Sequence, residues 1–306
     1  MRMKPHVGSS LAILPVRASL CRRAALLALV VLLSGCATTR YPLVELEPEL
    51  RGHVHAPEGD APFPAVLLLH GMGGMREDYH VEAEFLARHG YLVLVLDYYR
   101  AVRPGGVTGT ERERRWREWQ DEVERAYAHL RRRRDVAADR IALVGYSQGA
   151  AMAISTAHRL PDLRAIVDFF GPHVEGWYVG GVYGMRDNLP TDYLDNLPPV
   201  LIQQGSADPI VPESNSQRLY HALQERGRSV ELHVYPGSLH SFHKPISGTD
   251  EGKRVAREAR DRTLAFLARH LQAGGHEDVP PAQPAPRQDE PSGGAAPPRG
   301  GSSPAS

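Results

Sequence analysis

Three short stretches of this chain hold residues whose types and spacing suit nucleophilic chemistry. The first is Gly145-Tyr146-Ser147-Gln148-Gly149, with the spacing G-x-S-x-G. An apolar, β-rich run over 141–144 precedes it, and an alanine-rich stretch follows. That context predicts a serine on a sharp strand-to-helix turn. Glycines two before and two after it let neighbouring chain pass without a Cβ clash. A serine so placed stands at a helix N-terminus, where the amide of Gln148 can donate to a developing oxyanion. Tyr146 is expected beside the nucleophile as part of the substrate pocket.

A serine hydroxyl is a poor nucleophile until a base removes its proton. Chains that mount serine on such a turn carry an acid and then a histidine further along. Residues 201–208 read as an apolar strand running into a turn that ends in Asp208, at the carboxyl edge of a sheet, where acids and ligands gather. Asp208 is therefore the expected acid. Asp168, inside the strand-like run 166–170, is the rival and reads better as a structural or pocket carboxylate. His240 follows the last strand and a small-residue turn, so its loop can swing over the serine. One ring nitrogen then accepts the serine proton while the other donates to Asp208. His243, three residues on, is the competitor, lining the pocket or packing beneath the loop. The second oxyanion donor is expected in His70-Gly71-Met72-Gly73-Gly74, with the amide of Met72 first and Gly73 second, Gly73 also touching substrate. His70 reads as a residue that orients this loop. No Gly-Lys-Ser/Thr follows, which argues against a phosphate loop.

These residues need a scaffold, and the hydrophobic pattern supplies one. Continuous apolar runs at 65–69, 91–96, 140–144, 164–170 and 200–203 read as strands buried on both faces. The run 229–235 alternates more, as a strand nearer the edge does, and 44–47 and 53–55 read as short entry strands. Helical patterns occupy 77–89, 111–134, 148–159, 213–226 and 251–271, with Gly90 and Gly227 as stops. The alternation predicts an α/β fold with a mostly parallel central sheet and helices on both faces. The long connection 171–197, which contains Trp177, Tyr178, Tyr183 and Tyr193, is expected as a lid or wall, with Trp177 facing substrate. Asp97 and Arg100 read either as a structural ion pair or as substrate contacts. The run Arg131 to Arg134 reads as the solvated end of a helix.

Composition and the two ends bound the rest. The chain has 306 residues, and its 36 Lys plus Arg equal its 36 Asp plus Glu, so charge gives no sign of a nucleic-acid partner. The two cysteines, Cys21 and Cys36, both precede the expected domain, which excludes a thiol nucleophile or disulfide within it. The histidines show no metal-ligand spacing, so no metal and no cofactor are expected. Arg22 and Arg23 followed by the apolar run 24–33 suit an export signal too short to span a membrane comfortably. It ends in Leu33-Ser34-Gly35-Cys36, which resembles a bacterial lipobox. Residues 1–35 are thus expected as a signal peptide, with Cys36 lipidated and holding the protein to a membrane of the cell envelope. Ala37 resembles the sorting residue of outer-membrane lipoproteins. Residues 36–60 form an anchored entry segment, 61–272 the catalytic domain, and 273–306 a Pro/Gly/Ser-rich tail too poor in apolar surface to order itself.

Taken together, the strand end at 70–74, the stretch 94–100, the 145–149 elbow, the turn 204–208 and the segment 235–243 resemble the dienelactone hydrolases of the α/β-hydrolase superfamily, over about 62–271. The resemblance implies the α/β-hydrolase fold and matches that family's nucleophile, acid and base to Ser147, Asp208 and His240. Two positions depart from the founding enzymes. Those carry a cysteine nucleophile and a glutamate after the oxyanion-strand histidine, where this chain has Ser147 and Gly71. Both changes agree with a serine mechanism on esters or lactones in general. A serine peptidase or amidase on the same fold, or a noncatalytic envelope-binding lipoprotein that keeps the hydrolase shell, are the alternatives.

Overall fold

A computed structural model describes residues 41, 43–48, 50–99, 109–173, 191–244 and 249–271. Among them eight strands form one sheet: β1 (Val44–Glu47), β2 (Leu50–His55), β3 (Phe63–Leu69), β4 (Leu92–Leu96), β5 (Val136–Tyr146), β6 (Ala165–Phe169), β7 (Val200–Gly205) and β8 (Val230–Tyr235). Their order is β1-β2-β4-β3-β5-β6-β7-β8. From β4 to β8 every pairing is parallel, and β2 runs antiparallel to β4. Parallel neighbours need long crossovers, and helices supply them.

The helices are α1 (Glu77–Arg88), α2 (Gly109–Arg132), α3 (Gln148–Thr156), α4 (Glu213–Glu225) and α5 (Asp250–His270). Side chains alternate across each strand, so one apolar run feeds two cores. Leu67, Leu69, Leu143 and Ile202 join α2, α3 and α4 on one face; the same core holds Trp119, Met152 and Leu223. Val66, Leu68, Val144 and Leu201 join α1 and α5 on the other, with Leu86, Ala259 and Phe266. Burial on both faces explains why these strands lack polar alternation.

The expected strands and helices are present, with ends shifted by a few residues. β5 is longer than expected, beginning at Val136, because Val136 pairs with Phe63 across a register shift before the Ala65–Ile141 pairing. The helix expected over 148–159 stops at Thr156 and finishes in a 3-10 turn, Ala157–Arg159. β8 is the edge strand that its alternation predicts. The carboxyl ends of β3, β5, β6, β7 and β8 share one rim, and all the expected chemistry lies on loops leaving that rim.

Candidate active site

Ser147 alone separates β5 from α3. Its backbone has a positive φ, with φ 53° and ψ −118°. A non-glycine residue holds this conformation only where its surroundings fix it. Here the Ser147 amide donates to the Phe169 carbonyl at 2.8 Å, and the Ser147 carbonyl accepts from the Ala150 amide at 2.9 Å. The flanking glycines are obligatory on steric grounds. A Cβ at Gly145 would lie 2.4 Å from the Gly149 carbonyl oxygen, and one at Gly149 2.2 Å from that of Leu69. Gln148 is the first residue of α3, so its backbone N–H has no intrahelical acceptor.

The loop after β3 passes directly against the serine. A Cβ on Gly71 would come within 3.4 Å of the Ser147 Cβ. Its amide is engaged by the Tyr79 hydroxyl at 2.9 Å, and Met72 and Gly73, the donors expected of this loop, are both exposed beside it. His70 orients the loop as expected: its Nδ1–H donates to the Gly71 carbonyl at 2.8 Å, and its ring stacks on Tyr98 at 4.1 Å. Burial lowers its pKa to about 4, so it is a neutral strut. The Tyr98 hydroxyl donates to the His70 carbonyl at 2.5 Å, and that of Tyr99 to Gln148 Oε1 at 3.0 Å. Two tyrosines after β4 thus tie the β3 loop to α3, the helix that follows Ser147. Asp97 stands 3.9 Å from His70 Nε2, and Arg100 lies outside the described residues.

Asp208 and His240 meet. His240 Nδ1–H donates to Asp208 Oδ2 at 2.6 Å, a short bond to a charged acceptor. This bond sets the tautomer and leaves Nε2 as the acceptor. The other carboxylate oxygen accepts from the amides of Ile210 at 2.8 Å and Val211 at 2.9 Å. The acid loop and the histidine loop are sewn together. The Ser206 amide donates to the Tyr235 carbonyl at 3.1 Å, the Ala207 amide to that of Ser238 at 3.0 Å, and the Gly237 amide to Ser206 Oγ at 2.9 Å. Gly205 permits the crossing, since a Cβ there would lie 2.4 Å from the Ser238 carbonyl oxygen. Gln204 knits the acid loop from beneath, donating to the Val211 carbonyl at 2.9 Å.

The Ser147 turn and His240 are linked through the end of β6. Phe169 accepts the Ser147 amide, while the next ring, Phe170, lies 4.6 Å from the His240 ring. Two expectations for the pocket are corrected here. Tyr146 and His243, expected to touch substrate, are 2% and 1% exposed. Tyr146 stacks on Phe169 at 4.7 Å and meets His243 at 4.5 Å, so both support the site from below. His243 therefore packs beneath the loop, and burial drives its pKa well below the usual value. Asp168 does not reach His240; its Oδ2 is bound to His173, and its Oδ1 accepts from the Gly171 amide at 2.9 Å. His173, like Tyr98, Tyr99 and Phe170, carries no sequence motif that assigns it a role. Trp177 and Cys36 lie outside the described residues.

A cavity of about 510 Å³ lies along the His240 loop, lined by 236–242, Lys244, Thr249 and the start of α5. Ser147 is not part of its wall. Among the described residues, no group of three or more His, Cys, Asp or Glu is placed to hold a metal ion.

Known proteins match both this fold and this sequence. The model of the dienelactone hydrolase family matches residues 50–271. A Bradyrhizobium protein named "Probable 2-oxo-3-(5-oxofuran-2-ylidene)propanoate lactonase" is 26% identical over 219 residues, covering 68% of this chain and 84% of its own. Esterase YjfP of Escherichia coli is 26% identical over 245 residues, covering 69% of this chain and 91% of its own. Among solved structures, the thermophilic esterase Est2 of Thermogutta terrifontis superposes with a TM-score of 0.56 at 18% identity, over 79% of this chain and 96% of that one. An acylaminoacyl peptidase of Pyrococcus horikoshii superposes with a TM-score of 0.61 at 20% identity, over 78% of this chain but 42% of that one. At those identities the structures speak for the fold alone, whereas the family match spans most of the chain. The chain therefore belongs to the dienelactone hydrolase family and is an α/β-hydrolase-fold enzyme acting on esters.

Proposed function

We propose that this protein cleaves carboxylic esters or lactones through an acyl-enzyme formed on Ser147. The observation that carries the reading is the 2.6 Å bond between His240 Nδ1 and Asp208 Oδ2, on loops of the same sheet rim as the strained Ser147. Relatives named as a lactonase and as an esterase support the substrate class.

In this mechanism the substrate carbonyl oxygen enters between the amides of Met72 and Gln148. Ser147 Oγ bonds to the carbonyl carbon as its proton passes to His240 Nε2. Asp208 stabilises the imidazolium and holds its ring. The tetrahedral oxyanion is stabilised by the two amides. Collapse expels the alkoxide, which takes the proton from His240. Water then attacks the acyl-enzyme, giving a proton to the same nitrogen, and the acid departs as Ser147 recovers its proton. A lactone follows the same path with its alcohol still tethered to the acyl group.

A fluorophosphonate probe is expected to label the wild-type protein at Ser147, and Ser147→Ala is expected to lower ester turnover by at least ~10⁴-fold. A Ser147→Ala protein with full turnover would refute the reading. Rates on matched ester and amide substrates decide against the peptidase alternative, with the ester expected to be much faster.

The chain is further proposed to be lipid-anchored in the cell envelope through Cys36, with 1–35 removed. The support is the lipobox-like sequence at 33–36 after the apolar run. Incorporation of an alkynyl fatty acid that Cys36→Ser abolishes is the expected result; equal incorporation by both would overturn it.

A further inference from the structure

The carboxyl end of β6 holds a second carboxylate–imidazole pair that the mechanism does not use. Asp168 is fully buried and His173 is 5% exposed. Both Asp168 oxygens are engaged, one by the Gly171 amide at 2.9 Å and the other by His173 Nε2. A buried carboxylate is costly unless its lone pairs are satisfied, so this pair is a rigid, specific brace. It closes across residues 169–172, and Phe169 and Phe170 among them reach both halves of the site. The Phe169 carbonyl receives the Ser147 amide at 2.8 Å. Phe170 has φ 45°, a left-handed conformation that is rare for an aromatic residue. Its amide donates to the Gln203 carbonyl at 2.9 Å. Its ring faces His240 at 4.6 Å and His243 at 5.4 Å.

We propose that Asp168 and His173 are positioning residues for the catalytic triad: their bond holds the 169–171 turn so that one element fixes both the Ser147 amide and the face of the His240 ring. The proposal rests on the acyl-enzyme reading above. Neither residue touches substrate. Their effect reaches the reaction through Phe169 and Phe170. Strain at Phe170 is maintained by the brace, and loss of the brace lets the turn relax and both catalytic groups drift. A displacement on the order of 1 Å in such groups costs roughly a hundredfold in rate.

The test compares His173→Leu, His173→Gln and Phe170→Leu with wild type in the full-length protein, using p-nitrophenyl acetate and a fluorophosphonate probe across pH. His173→Leu is expected to lower kcat roughly ten- to a hundredfold with KM little changed, to slow labelling of Ser147 in parallel, and to displace the acid limb of the kcat/KM profile. His173→Gln keeps a side-chain N–H for Asp168 and is expected to recover most of the rate. Phe170→Leu leaves the brace and removes the ring against His240, and it is expected to displace the same limb. A folded His173→Leu protein with wild-type kcat and pH profile, or one altered in KM alone, overturns the proposal. Should His173→Leu fail to fold, Phe170→Leu decides, and an undisplaced profile overturns it. Wild-type protein that the probe does not label sinks the serine reading instead, which separates the two failures.

Discussion

At the scale of single residues, the site is controlled by which hydrogen bonds each group can still make. Asp208 accepts two backbone amides on Oδ1 and His240 on Oδ2. Asp208→Asn would still accept the two amides, but its NH₂ would face His240 and favour the wrong tautomer. The expected result is a folded protein whose kcat for esters falls by ~10³–10⁴-fold, measured by steady-state hydrolysis with far-UV circular dichroism as the folding control. Gly205→Ala probes the loop crossing instead. Its methyl group would meet the Ser238 carbonyl oxygen at 2.4 Å, a backbone obstacle that cannot rotate away as a side chain could. We expect this change to cost about 1–3 kcal/mol in chemical denaturation and to lower kcat, because the clash pushes the His240 loop from the Asp208 loop. Legibility at this scale followed pattern. Ser147, Asp208 and His240 each sit beyond a strand end marked by small residues, so chain order and context singled them out as candidates, and the bond between Asp208 and His240 is the part of that pattern the structure carries. Asp168 and His173 form their bond five residues apart across an irregular turn, and no periodicity marks such a contact.

At the scale of elements, α1 and α5 are joined over the second core by a buried ion pair. Arg260 donates to Glu82 through Nε at 2.9 Å and Nη2 at 2.7 Å, across 178 positions in sequence. Glu82 is 5% exposed, and burial raises its pKa even though Arg260 opposes the shift. The two partners differ in access to water, since the Arg260 side chain is 21% exposed. Removing the arginine therefore strands a carboxylate in the core, whereas removing the glutamate leaves a cation that can turn outward. Arg260→Leu is expected to cost about 3 kcal/mol and Glu82→Leu less, with the double variant recovering part of the loss, as read by a double-mutant cycle in urea. The elements themselves were legible because both sheet faces are covered, which turns central strands into unbroken apolar runs. Their ends were less so. The start of β5 depends on the pairing of Val136 with Phe63, and the end of α3 on tightening into a 3-10 turn, neither of which is marked by a distinct residue signal.

At the scale of the whole molecule, the described domain buries several imidazoles that are easier to keep neutral than to charge. Burial lowers the pKa of His70 to about 4, and it also lowers that of His80 to about 4, aided by His53 and His55. Burial pushes His243 well below its usual value too, and both its ring nitrogens are buried without a hydrogen-bond partner. The sign follows from proton counting. In the unfolded chain these histidines bind protons as pH falls through about 6.5, while in the folded chain they stay neutral to lower pH, about 4 for His70 and His80. The unfolded state then holds more protons, so this stability is full above about pH 6.5 and declines as pH falls below it. Each such group contributes a slope of about 1.4 kcal/mol per pH unit between its two pKa values. His243→Leu removes one of these groups and replaces two unsatisfied nitrogens with apolar surface of similar volume, which is neutral to stabilising at neutral pH. Urea unfolding in a series of buffers from neutral to about pH 4 is therefore expected to show wild type losing stability on acidification, and His243→Leu losing it less steeply. Parallel curves for the two proteins would mean that His243 is protonated as readily in the folded chain as in the unfolded one, contrary to its burial among Tyr146, Phe169 and Phe170.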